Sequence, residues 1–232
     1  MEASDKSAVL LLGIDTCGPS GSVALGRFGG SAAEILSEIE LEGRSYSATL
    51  IAAVGELLSR AGVALKDLGG IVVVNGPGSF TGVRVGLSAV KGLAEAGRIP
   101  VVAVSRLEVL GWKAGTGPAA FDAHRREVFL RLDLAGAGAQ ELLAGAEELA
   151  ALRPAAGARV AVCDDAAAEL LAAAWPEAVL VRTGAPLASD VLRLCAPRVA
   201  AGQFADLVLL DGHYLRRSDA EIFGETPRTP SA

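Results

Sequence analysis

The segment Asn75-Gly76-Pro77-Gly78-Ser79-Phe80-Thr81-Gly82-Val83-Arg84-Val85-Gly86 carries the strongest chemical signal in the chain. It follows the β-branched run Ile71-Val72-Val73-Val74 and opens an apolar, Ala/Gly-rich stretch. That pattern predicts a strand, a tight Gly-Pro-Gly turn and a helix start. Pro77 fixes one backbone angle, and Ser79 or Thr81 can cap the exposed N–H groups of the following helix. Two readings compete on geometry alone: an anion site at a helix N-terminus, or a strand-to-helix turn with no ligand. Nucleophilic chemistry has less support. The only histidines are His124 and His213, and no Ser/His/Asp constellation follows from spacing. Cys17, Cys163 and Cys195 are scattered, spaced neither for zinc nor for a redox pair, and fit a reducing cytoplasm.

Composition bounds what these residues can serve. A chain of 232 residues, 51% hydrophobic and poor in aromatics, suits one large α/β domain or two small ones. The net charge of −6 and the lack of a long basic run argue against a large nucleic-acid footprint. The apolar run Val9–Ile14 is too short to span a membrane and lacks the flanks of a signal peptide. Residues 1–7 read as a polar lead-in and residues 218–232 as a disordered tail.

Strands are expected at 9–15, 22–28, 34–40, 71–74 and 101–104, with helices over 46–60 (Ser45 as cap) and about 81–96. The order β-β-β-α-β-α-β implies a mixed sheet with helices on its faces. Beyond residue 105 the pattern predicts a helix over 105–112 and a hairpin from 120–122 and 128–133. A helix over 140–152, a strand at 159–163, a helix over 166–174, a strand at 179–182 and a helix over 187–201 follow. Hairpin openings near Asp15 and again near Asp122 form a weak internal echo.

Several segments, in order along the chain, resemble the TsaB family. They are Gly13-Ile14-Asp15-Thr16 with Gly21-Ser22-Val23-Ala24-Leu25, Arg44-Ser45-Tyr46-Ser47, the Gly76–Gly86 segment, Pro100–Ser105, Asp122–Val128 and Tyr214-Leu215-Arg216. The resemblance implies an actin/sugar-kinase/Hsp70 ATPase-like (ribonuclease H-like) fold with duplicated α/β lobes and mixed sheets. The lobes would be 8–105 and 106–217, with the late helix packing back on the first. It implies a cytoplasmic subunit that does no chemistry alone, needed for making N6-threonylcarbamoyladenosine at position 37 of tRNA. The implied partners are TsaD, the transferase, as a heterodimer, then TsaE and, functionally, TsaC. tRNA would be met through the complex, and no membrane is involved. ATP and metal would belong to the partner subunits, with no cofactor on this chain. The alternative is an active kinase or ATPase using Asp15 and the Gly76–Gly82 turn.

Active members of that superfamily place an Asp after the first strand and an Asp-x-Gly-Gly loop in the second lobe. Asp15 matches the first and leaves a residual phosphate site of Asp15, Gly76, Gly78, Ser79 and Thr81. The second loop corresponds to Asp122-Ala123-His124-Arg125, without its glycines, and Asp164-Asp165 stands where a glycine pair would meet adenine. Tyr46 takes a place where many TsaB sequences keep a histidine. On a helical wheel Gly82, Val85, Gly86, Ala89 and Leu93 share one face of the second helix; Ala48, Ala52 and Gly55 form a strip on the first. These faces are either packed inside one domain or offered to another subunit, a homodimer partner included. On the second reading Gly86→Arg or Ala89→Arg leaves the fold intact and blocks the partner.

Overall fold

The computed structural model describes residues 8–29, 32–42, 45–134, 138–152 and 154–216. The lead-in 1–7 and the tail 218–232 lie outside them. The first half runs β1 (Val9–Asp15), β2 (Ser20–Gly29), β3 (Ala32–Glu42), α1 (Tyr46–Ala61), β4 (Gly70–Val74), α2 (Phe80–Gly97), β5 (Val101–Val104) and α3 (Arg106–Lys113). The second runs β6 (Ala119–Asp122), β7 (Val128–Leu134), β8 (Gly138–Ala144), α4 (Ala146–Ala151), β9 (Arg159–Val162), α5 (Asp165–Ala174), β10 (Val179–Arg182) and α6 (Ala188–Ala200).

The two halves repeat one topology. The first sheet has the spatial order β3-β2-β1-β4-β5 and the second β8-β7-β6-β9-β10. In each, the first three strands pair antiparallel and the last two join in parallel. The echo between Asp15 and Asp122 is therefore structural, since both end the first strand of a lobe. This is the duplicated α/β arrangement of the actin-like ATPase fold.

Side-chain alternation settles the layers of the second sheet. Ala119, Phe121, Phe129 and Ala161 pack with Leu107 and Leu110 of α3. Their neighbours Ala120, Val128, Leu130, Val160 and Val162 pack with Leu149 of α4 and Leu171 of α5. The first sheet carries α1 and α2 on one side, while α6 reaches all five of its strands. α6 lies so close that a Cβ at Gly13 would come within 2.8 Å of the Ala188 carbonyl oxygen. The helix that ends each lobe thus covers the other lobe's sheet. Where these two helices cross, Lys113 Nζ meets Asp190 Oδ2 at 2.7 Å and Arg198 pairs with Glu108.

One expected helix is corrected. Residues 138–144 form the edge strand β8, and only Ala146–Ala151 is helical. Gln140, Glu141 and the leucines after them are good helix formers, but pairing along the length of β7 overrides that preference. Ser45 stands at the N-cap of α1, yet its hydroxyl donates to the Glu42 carbonyl and caps nothing. Ser79 does cap α2, accepting from Gly82 N at 3.3 Å.

β8 also delivers Glu141 to the seam between lobes. Its carboxylate accepts from Ser105 Oγ at 2.7 Å and Arg131 at 2.8 Å, and lies 2.9 Å from His213 Nε2. Burial alone would raise this carboxyl, but the hydrogen bonds from His213, Ser105 and Arg131 hold it below its ordinary 4.5. A lowered carboxyl adds stability that is complete above its unfolded pKa and is lost as pH falls through the folded value. Glu141→Gln should therefore lower the urea midpoint at pH 7, and the gap from the parent chain should close as pH falls below about 4.

Candidate functional site

The Gly76–Gly82 turn is shaped first by contact with the chain itself. Ser79 N donates to the Cys17 carbonyl at 2.9 Å, and Thr16 Oγ1 donates to the Gly82 carbonyl at 2.7 Å. A Cβ at Gly78 would overlap the Cys17 carbonyl oxygen, and one at Gly82 that of Thr16. Gly78 and Gly82 are glycines because two backbones touch there. Gly76, at φ 120°, lies beneath the His213 carbonyl, which a Cβ would meet at 2.7 Å. Tyr46, buried under the same turn, donates its hydroxyl to the Gly18 carbonyl at 2.9 Å. Tyr46 is thus a structural pillar of the turn.

Behind the turn opens a cleft of about 610 Å³ between the lobes. Of the five residues of the residual phosphate site, Gly78 and Ser79 line it, whereas Asp15, Gly76 and Thr81 are absent from its walls. Asp15 is 1% exposed and already engaged. Its Oδ1 accepts from Cys17 N at 2.8 Å and its Oδ2 faces Arg106 Nε at 3.4 Å. Sequence reasoning missed Arg106, which is 5% exposed. The available signal was one cation inside the apolar run Val101–Leu110. Burial works against its charge, but Asp15 holds it protonated above the usual arginine range. Burial and the Asp15 charge likewise keep Cys17 as a thiol, and burial pushes Cys163 up to about 11.

The second-lobe loop is equally committed. His124 and Arg125, at the places that the family resemblance matches to two glycines, have φ of 61° and 57°, and Arg126 has 62°. The backbone keeps the left-handed conformation that favours glycine while carrying large side chains. Asp164 accepts from Asp122 N at 3.0 Å and from Ala167 N at 2.7 Å, so it ties β6 to the start of α5. Asp165 pairs with Arg182 on the surface. With Asp15 engaged and side chains on both glycine places, this donor set does not fit a nucleotide–magnesium group held as in the active superfamily members. Among the described residues no cluster of three or more His, Cys, Asp or Glu could hold a metal. Neither histidine bonds a serine or cysteine there. His124 pairs with Asp122, and Glu141 stands between His213 and Ser105.

The candidate interface faces divide in two. Gly82 and Gly86 are buried inside the chain, and a Cβ at Gly86 would overlap Thr16 Oγ1. The expectation that Gly86→Arg spares the fold is therefore corrected: the small residue serves an internal contact. Ala48, Ala52 and Gly55 of α1 are exposed beside Ile51, which is 55% exposed. A Cβ at Gly55 would meet nothing within 4 Å. Val85, Ala89 and Leu93 of α2 pack on the core and remain partly exposed.

Duplicated lobes, exchanged terminal helices and an interlobe cleft define the class as an actin-like ATPase fold. A family model for TsaD, tRNA N6-adenosine threonylcarbamoyltransferase, matches residues 34–140. TsaB of Bacillus subtilis, a tRNA threonylcarbamoyladenosine biosynthesis protein, is 37% identical over 126 residues, covering 53% of this chain and 54% of that one. TsaB of Escherichia coli is 33% identical over 125 residues, covering 51% and 52%. The chain thus spans about half the length of the curated relatives it matches. YeaZ from Pseudomonas aeruginosa superposes with a TM-score of 0.70 at 30% identity, over 89% of this chain and 100% of that one. The chain belongs to the TsaB (YeaZ) family.

Two stability measurements check this geometry. Left-handed backbone costs a side-chain-bearing residue about 1 kcal/mol or more, so Arg126→Gly should raise unfolding free energy by about 1 kcal/mol. Gly86→Arg should destabilise by about 3 kcal/mol or more, or abolish soluble expression, because a buried overlap and a buried charge arise together. Urea titration reads both.

Proposed function

We propose that this chain is a non-catalytic scaffold subunit in threonylcarbamoylation of adenosine 37 of tRNA. It would act in the cytoplasm, as a heterodimer with a TsaD-type transferase, and help form the surface on which TsaE acts. TsaC would supply the activated threonylcarbamoyl group, and ATP and metal would be handled by the partners. The observation that carries the reading is the state of the cleft. Asp15 is held by Arg106, and His124 and Arg125 stand where phosphate-approaching glycines would be. Membership of the TsaB family supports the pathway.

The exposed small residues of α1 and the half-exposed Val85, Ala89 and Leu93 of α2 support the place of the partner contact. Small side chains allow helix axes to approach toward the short end of the usual 8–10 Å. Two helices from each partner would then meet, and without the partner the same face would serve a homodimer.

The test is reconstitution with TsaC, TsaD, TsaE, tRNA, ATP, threonine and bicarbonate, with the modified adenosine read by mass spectrometry. Product should require this chain. Gly55→Arg is the informative variant, because the site is open and replacing a helical glycine adds up to about 1 kcal/mol of stability. It should melt no lower than the parent and still fail to bind TsaD or support product. Equal product without this chain, or unaltered TsaD binding by Gly55→Arg, would overturn the reading.

A further inference from the structure

Arg106 has a half of its guanidinium left over. Only Nε meets Asp15; among the described residues neither Nη1 nor Nη2 has a hydrogen-bond partner. Yet no buried side-chain nitrogen or oxygen among those residues lacks a partner. The two terminal nitrogens are therefore not sealed off, and Arg106 is among the residues that line the interlobe cleft. The group is fixed in place. Its carbon lies 4.5 Å over the Phe121 ring, and Nη2 rests against Gly18 so closely that any Cβ there would overlap it.

We propose that the cleft is a binding site for a small organic anion with a single acidic group and a flat apolar body, its carboxylate or phosphate held end-on by Arg106. A planar fork with both outer nitrogens open matches two oxygens of such a group. The rest of the wall suits the body of the ligand: Phe80, Phe121, Phe129 and Pro19 supply apolar and aromatic surface. The volume of about 610 Å³ lies within the usual range for small-molecule sites. Charge selects against a polyanion. The Arg216 side chain at the rim is already bonded to Glu127 and to the Ala123 carbonyl, while Asp122 and Asp164 place two carboxylates on the same wall. Arg125 lines the same wall and has an interaction of its own, so the Arg106 fork facing two carboxylates accommodates one acidic group.

The test uses the full chain and four probes: phenylacetate, phenyl phosphate, the neutral benzyl alcohol, and ATP. Calorimetry should show one or both aromatic anions binding about tenfold or more tighter than benzyl alcohol, and tighter than ATP. The tighter of the two anions identifies carboxylate or phosphate as the natural group. In arginine-labelled protein of unaltered sequence, the bound anion should shift the side-chain nitrogen signal of Arg106. The double variant Asp15→Asn/Arg106→Gln removes both charges together and should lose the preference for anions over benzyl alcohol. The labelled parent chain decides the matter if that variant does not fold. Failure of both aromatic anions to bind, equal binding of benzyl alcohol, tighter binding of ATP, or anion binding that leaves Arg106 unshifted would each overturn the proposal. None of these outcomes depends on the partner subunits, and of them only tighter binding of ATP would also count against the scaffold reading.

Discussion

Most of this structure is arranged around one short turn, residues 15–18, where the first strand ends. It is gripped from three sides. The glycine-rich turn before α2 lies against its carbonyls, the Tyr46 hydroxyl holds it from α1, and Arg106 holds Asp15 from the start of α3. Each grip requires a particular side chain or the lack of one. Glycine at 78, 82 and 86 lets backbone and helix reach van der Waals distance; a phenol of the right length reaches Gly18; a guanidinium offsets a carboxylate that is almost wholly removed from water. The turn that the sequence matched to a phosphate loop is a joint between elements.

The same residues explain why sequence reading found the fold more readily than the site. β1 to β5 are marked by β-branched runs and by Gly and Pro punctuation, and these signals are local. The glycines of α2 were legible as small residues, but a wheel cannot tell whether the neighbour they admit is another molecule or a turn 66 residues earlier in the same chain. Arg106 was illegible for a related reason. Its partner Asp15 is 91 residues away, and nothing near it in the sequence announces that the two meet. β8 failed differently. Its residues favour a helix by propensity, and only the backbone pairing offered by β7 turns them into a strand.

The C-terminal segment after α6 has a clear physical task as well. Ala205 bonds to Val101, His213 N donates to Asn75, Tyr214 stacks on Phe80 at 4.8 Å, and Arg216 engages the β6–β7 loop. This strap runs from the edge of the first sheet, past the glycine-rich turn, to the second lobe. With the Glu141 cluster and the two ion pairs between α3 and α6, it joins lobes that share the cleft. The Tyr214-Leu215-Arg216 segment that carried part of the family resemblance is thus a fastening element.

The exchange of terminal helices has a consequence for how the chain is made. Synthesis delivers β1 to β5 within the first 104 residues, but the helix that covers one face of that sheet begins only at Ala188. During elongation an apolar sheet face containing Gly13, Gly26 and Gly70 waits uncovered while residues 105–187 are still to be made. Contacts of such long sequence separation close late and slowly. The nascent first half is therefore the species most exposed to misassociation and to chaperone capture, and it cannot reach its final form as a free-standing unit.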